Sequence, residues 1–171
     1  LLSVQQLDRP TIAMMNGDAV GSGFDLALSC DMRVGSHQTR FSSGFVRLGA
    51  SHGTGGAWLM PRIMGLGRAL QYLLTGEFCN AEEAYRIGVL NKLTSPEELE
   101  GVTMELARRL AKGPPIAHRL TKALVRQGLT IDLKTASEFA AACEYISMAS
   151  EDVKEGISGV AEKRLPEFKG R

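Results

Sequence analysis

No apolar run in the sequence approaches the length of a membrane span, so a membrane-spanning protein is not expected, and no signal peptide is visible in a chain that begins at Leu1 rather than Met. Blocks of like charge are also missing. Twenty Lys and Arg stand against nineteen Asp and Glu, a formal net charge of +1, which leaves no electrostatic footprint for nucleic acid or a membrane surface. Cysteine is scarce. Cys30, Cys79 and Cys143 are odd in number and far apart, with no CxxC and no metal-ligand spacing alongside His37, His52 and His118. That excludes a disulfide framework and fits a reduced, cytoplasmic compartment, with no metal expected. Internal repeats and low-complexity linkers are absent. What is present is 171 residues, 44% hydrophobic and 23% charged, enough for one domain with a real core.

The two halves differ in character. "TIAMMNG" (11–17) is a short apolar run behind Pro10 and closed by Asn-Gly, which predicts a buried strand ending in a turn. A helix of about two turns is expected from Ser22, and "MRVGS" (32–36) reads as the next strand. "RLGASHGTGGAW" (47–58) carries too many glycines for regular structure before Trp58. Helices are predicted over 67–76 and 80–88, each stopped by a glycine, and "VLNKL" (89–93) is the last strand candidate. After Pro96 the pattern is helical throughout: 96–113, 114–129, 133–150 and a closing piece from Glu151 to about Lys163. Alternating strands and helices followed by a run of helices predict an α/β layer with a helical appendage, divided as 1–95 and 96–171.

The stretch "GDAVGSGFDLALSCD" (17–31) concentrates the chemistry. With Ser22 as N-cap, the free N–H groups of the first helical turn make an anion site, and Gly21 and Gly23 let another group approach the backbone. A dinucleotide fingerprint fails, because G-x-G-x-x-G counted from Gly21 puts Leu26 at the third glycine. A nucleophile elbow around Ser22 fails at Val20 and Phe24. A structural account remains open beside the functional one: Ser22 followed by Asp25 resembles a capping box, in which the acid holds its own helix start.

Three segments, "RPTIAMMNGDAVGSGFDLALSCDMRVGS", "FVRLGASHGTGGAWLMPRIMGLGRALQYLLTGEFCNAEEAYRIGVLNKL" and "EGISGVAEKRLPEF", resemble in order the central and C-terminal parts of the enoyl-CoA hydratase/isomerase, or crotonase, superfamily. The resemblance implies a spiral of ββα units, here lacking its N-terminal portion, followed by a C-terminal helical trimerisation region. It further implies an acyl-CoA thioester as substrate, with coenzyme A present only as part of it, no separate cofactor, and a homotrimer or dimer of trimers. The thioester oxygen would sit on backbone N–H groups. The donor in this region maps onto Ser22, inside the small triplet Gly21-Ser22-Gly23, and the first catalytic carboxylate maps onto Asp25.

The sequence departs from the family in three places. The second carboxylate maps onto Phe45, which cannot move a proton, and the nearby alternatives Ser43 and Thr54 are hydroxyls. His52 stands where proline is common; it is either a replacement acid or base or an exposed loop histidine. The segment that supplies the other oxyanion donor has no counterpart here. Losing one such donor costs about 10²–10³ in turnover. Lys163, in "AEKRLPEF", matches a lysine that reaches CoA phosphates, and equally suits a cationic last helical turn. The expected function is hydration of a 2-enoyl-CoA or a related double-bond isomerisation, with Ser22 polarising the thioester and Asp25 moving the proton. The alternative is a non-catalytic remnant that oligomerises or binds CoA.

Overall fold

A computed structural model describes residues 1–171. The chain forms two compact units, Leu1–Leu7 with Thr11–Ala107, and Asp8–Pro10 with Arg108–Arg171.

The first unit is built from two small sheets wound together. Strands β1 (Ile12–Met15) and β2 (Ala19–Val20) lead into helix α2 (Ser22–Ser29); β3 (Met32–Ser36) and β4 (Arg40–Ser42) lead through a 3₁₀ turn at Phe45–Leu48 into α3 (Gly56–Met64) and α4 (Leu66–Thr75). A short helix α1 (Leu2–Gln5) precedes them. The second turn of this winding lies beside the first, because β1 pairs parallel with β3 and β2 parallel with β4. Strand β5 (Cys79–Asn80) then adds antiparallel to β4, helix α5 (Ala81–Arg86) follows, and β6 (Lys92–Thr94) adds parallel to β3. The sheet orders are β1-β3-β6 and β2-β4-β5. Central β3 is buried on both faces from Arg33 to Ser36, as a parallel strand covered on two sides must be. Helix α6 (Leu99–Ala111) buries Leu99, Thr103 and Leu106, one helical face.

The core gathers Phe24 and Leu28 of α2, Phe41 of β4, Met60 and Met64 of α3, and Ala69 and Tyr72 of α4. Phe24 and Phe41 are ring neighbours at 5.0 Å, which fixes α2 on the sheet by the residues next to Asp25.

The second unit holds helices α7 (Pro115–Gly128), α8 (Leu133–Met148) and α9 (Glu151–Ala161). The Asp132 side chain caps α8 by accepting from the N–H groups of Lys134 and Thr135. The C-terminal tail folds back along α9. Buried Asp152 accepts from the N–H groups of Lys169 and Gly170 at 2.7 and 2.9 Å, and Glu155 accepts from Arg164 and from the Glu167 N–H.

Candidate active site

Strand β2 turns into α2 through one residue. Gly21 is the N-cap with φ 56° and ψ −124°, a conformation that L side chains rarely adopt. Its N–H donates to Ser42 O at 2.9 Å, and a Cβ on it would lie 3.4 Å from Phe45 Cζ. The expected cap is thereby corrected by one residue. Ser22 is the first helical residue rather than the N-cap, and Asp25 is the fourth, too far along for a capping box. The first intrahelical bond runs from the Asp25 N–H to Gly21 O at 3.1 Å. The N–H groups of Ser22, Gly23 and Phe24 therefore have no acceptor inside the helix, and Ser22 and Gly23 are exposed.

Asp25 is fully buried. Its Oδ2 lies 2.9 Å from His52 Nε2 and also accepts from the Thr54 hydroxyl. Against an ionised carboxylate, which only accepts, the imidazole Nε2 is the donor. Asp25 Oδ1 and His52 Nδ1 are buried without a partner. His52 is not the exposed loop histidine that the sequence left open, since its side chain is 9% exposed and its ring meets Phe45 edge-on at 4.8 Å. Beneath both groups lies Gly56, the first residue of α3, where an added Cβ would overlap Asp25 Oδ1 and His52 Nε2. Only a residue without a side chain leaves the carboxylate and the imidazole their places.

Gly21, Ser22, Gly23, Asp25, Phe45 and His52 thus assemble in the first unit, with Phe45 packed between the helix start and the imidazole. Ser43 is buried and its hydroxyl donates to Tyr72 O at 3.0 Å, committed to the backbone of α4. Lys163 belongs to the second unit, exposed just past α9 with φ 55°. Neighbouring Arg164 is engaged by Glu155 and Glu162. Two residues went unassigned in the sequence reading: Thr54 as a partner of Asp25, and Gly56 as the floor. The run "HGTGG" carried the only signal, alternating side chains with bare backbone.

The winding of two-strand turns closed by helices, followed by a helical unit, is the crotonase fold. The chain superimposes on the crystal structure of enoyl-CoA hydratase from Bacillus anthracis with a TM-score of 0.96, at 33% identity, covering 98% of this chain and 65% of that one. A family model described as enoyl-CoA hydratase/isomerase matches residues 1–171, and the chain belongs to that family. It is 37% identical over 165 residues to the crotonyl-CoA hydratase of Syntrophomonas wolfei, covering 96% of this chain and 64% of the relative. To the short-chain-enoyl-CoA hydratase of Clostridium acetobutylicum it is 36% identical over 169 residues, covering 98% and 65%. The chain therefore spans less than two thirds of the length of these relatives.

Proposed function

We propose that this chain carries the thioester-polarising and proton-transfer centre of an enoyl-CoA hydratase or isomerase. The observation that supports it best is the pairing of an exposed helix start, with free N–H groups at Ser22 and Gly23, and a buried carboxylate one turn further on that keeps one oxygen free of donors. A thioester oxygen on the Ser22 N–H gains stabilisation as it takes up enolate charge, so the interaction strengthens toward the transition state. Asp25 then exchanges a proton with the substrate carbons or with the adding water.

Phe45, at the position where hydratases carry their second acid, contributes apolar packing and no proton. His52, bonded to Asp25, is the second titratable side chain at the centre. One carboxylate suffices for isomerisation, where the same group removes a proton from one carbon and returns it to another. Hydration asks more of a second group, and His52 is the candidate. The acyl-CoA substrate and the use of Lys163 toward its phosphates are part of the same proposal.

The test is turnover of crotonyl-CoA and of a 3-enoyl-CoA by the 171-residue chain, alongside calorimetry with millimolar acetyl-CoA. Binding with measurable turnover of either substrate is expected; neither heat nor turnover would overturn the reading.

A further inference from the structure

We propose that the loop 51–54 is a latch closed over Asp25, which must lift before the carboxylate can act; that an acyl thioester lifts it rests on the acyl-CoA reading of the site. Asp25 has no exposed surface, and its Oδ1 packs on Gly56 with neither a donor nor solvent contact. A substrate carbon cannot reach the carboxylate in this arrangement. Two of the three residues against it stand on or beside one loop tip, since His52 Nε2 and the Thr54 hydroxyl both end on Oδ2.

That loop has few other ties. The Ala50 N–H donates to Phe45 O at 3.1 Å before it, and Gly55 O accepts from the Trp58 and Leu59 N–H groups at 3.1 and 3.0 Å after it, but residues 51–54 make no backbone hydrogen bond in between. Ser51, Gly53 and Thr54 are exposed, and a Cβ on Gly53 would meet nothing within 4 Å. The segment is therefore held by two side-chain bonds to one oxygen and by the edge of the His52 ring on Phe45. Segments with so few bonds and so little packing open at low free-energy cost.

Closure also carries a penalty of its own. It leaves Asp25 Oδ1 and His52 Nδ1 buried without a partner, and each such atom has given up its hydrogen bonds to water for nothing in return. Lifting the loop hydrates both. Two hydrogen bonds that favour the closed form are thus set against two desolvated atoms, which brings the closed and open forms close in energy. A ligand shifts such a pair only by binding one form better than the other. An acyl thioester whose carbons must touch Asp25 binds the open form alone.

The experiment reads access to His52 directly. The parent chain, Thr54→Val and Thr54→Ser are labelled with diethyl pyrocarbonate, and His52 is followed by peptide mass spectrometry against exposed His37 of the same molecule. The expected parent His52 reacts roughly tenfold or more slowly than His37, valine raises the His52 rate about tenfold by removing one hydrogen bond to a carboxylate, and serine restores it. His37 keeps one rate throughout. A parent His52 as fast as His37, a valine variant at the parental rate, a serine variant as fast as valine, or a His37 rate that rises with His52 overturns the latch. A crystal structure of the parent chain with acetyl-CoA is the second arm, with His52 off Asp25 and the carboxylate open to the ligand as the expected result. Acetyl-CoA bound with His52 still on Asp25 overturns the proposal and leaves the acyl-CoA reading in place. Failure to bind acetyl-CoA at all counts against the acyl-CoA reading instead, and the labelling rates then decide the latch by themselves.

Discussion

At Asp25 the chemical and structural roles separate under Asp25→Asn. A capping carboxylate would lose only a helix-start contribution, but this one is buried and bonded to His52 and Thr54. Hydrogen bonds to a charged group are worth about 1.5–3 kcal/mol, so a loss of roughly 1–3 kcal/mol in denaturant unfolding is expected. Turnover should fall about 10²-fold or more if Asp25 moves the proton; turnover equal to the parent would remove it from the mechanism. Gly56→Ala makes the complementary change, since the new Cβ overlaps both Asp25 Oδ1 and His52 Nε2. Overpacking of this kind costs about 1–3 kcal/mol, and kcat should fall with helix content by circular dichroism unchanged. Gly21 beside Ser22 and Asp25 marked half of this centre in the sequence, because a strand-to-helix turn at one residue demands a glycine there. The other half was not legible. Whether a loop histidine points in or out, and which way the Thr54 hydroxyl turns, depends on packing against Phe45 and Gly56 from distant parts of the chain, and loops carry no periodicity to read.

The elements themselves follow their local signals where those signals are long. The expected strand over 32–36 matches β3 residue for residue, and the glycine stops at Gly76 and after α5 fall where the helices end. Strands β2, β4 and β5 are only two or three residues long, too short for an alternation to register. They exist because the winding brings partners alongside. The strand expected over 89–93 begins later, at Lys92, because Val89 and Leu90 are buried in a turn whose N–H groups bond Ala84 O. The glycine-rich segment also holds more structure than expected, since α3 starts at Gly56, ahead of Trp58. Arg33 shows how elements are tied together. Burial pushes its guanidinium pKa down, and it donates from Nε to Val89 O at 2.5 Å and from Nη1 to Cys30 O at 2.9 Å, joining the end of α2 to that turn. Arg33→Met would leave the buried Val89 O without this donor, and with about 1–3 kcal/mol per unsatisfied buried group a loss of that order is expected in chemical denaturation. The tail against α9 is held electrostatically. The Arg164 guanidinium first, and the Glu167 N–H second, lower the Glu155 carboxyl from 4.5 to about 2. A carboxyl depressed on folding stabilises above its unfolded value and loses that contribution as pH falls through the folded one. Tail docking, read from the Glu167 amide resonance, should therefore persist at neutral pH and be released between about pH 4.5 and pH 2. A tail that stays docked below pH 2 would show that contacts other than those of Glu155, among them the Glu151 N–H donating to Arg171 O at 2.7 Å, are enough to hold it.

For the whole molecule the open matter is what covers the second unit. Its helices leave large apolar side chains in solvent: Leu133 is 83% exposed, Tyr145 79%, Val160 83% and Leu165 86%, with Ile146, Met148 and Ile157 at least half exposed. An open cleft of about 460 Å³ between α7, α8 and α9, walled by Ala117, Val153, Gly156, Ile157, Val160 and Phe168, adds to that surface. Large apolar side chains exposed beside an open apolar cleft make this unit a candidate interface. A symmetric homo-oligomer is the commonest way for a chain to bury such a face, and a stable contact removes about 800 Å² from each partner. We propose self-association of this unit, visible in light scattering at micromolar concentration, with the trimer or dimer of trimers that the family resemblance implies as the expected form. Charge placed on the exposed face tests the assignment: Tyr145→Glu together with Val160→Glu should shift the mass toward the monomer while far-ultraviolet circular dichroism stays unchanged, because neither side chain belongs to a core. A monodisperse monomer of the parent chain would refute self-association. An oligomer indifferent to both charges would place its contact elsewhere on the chain.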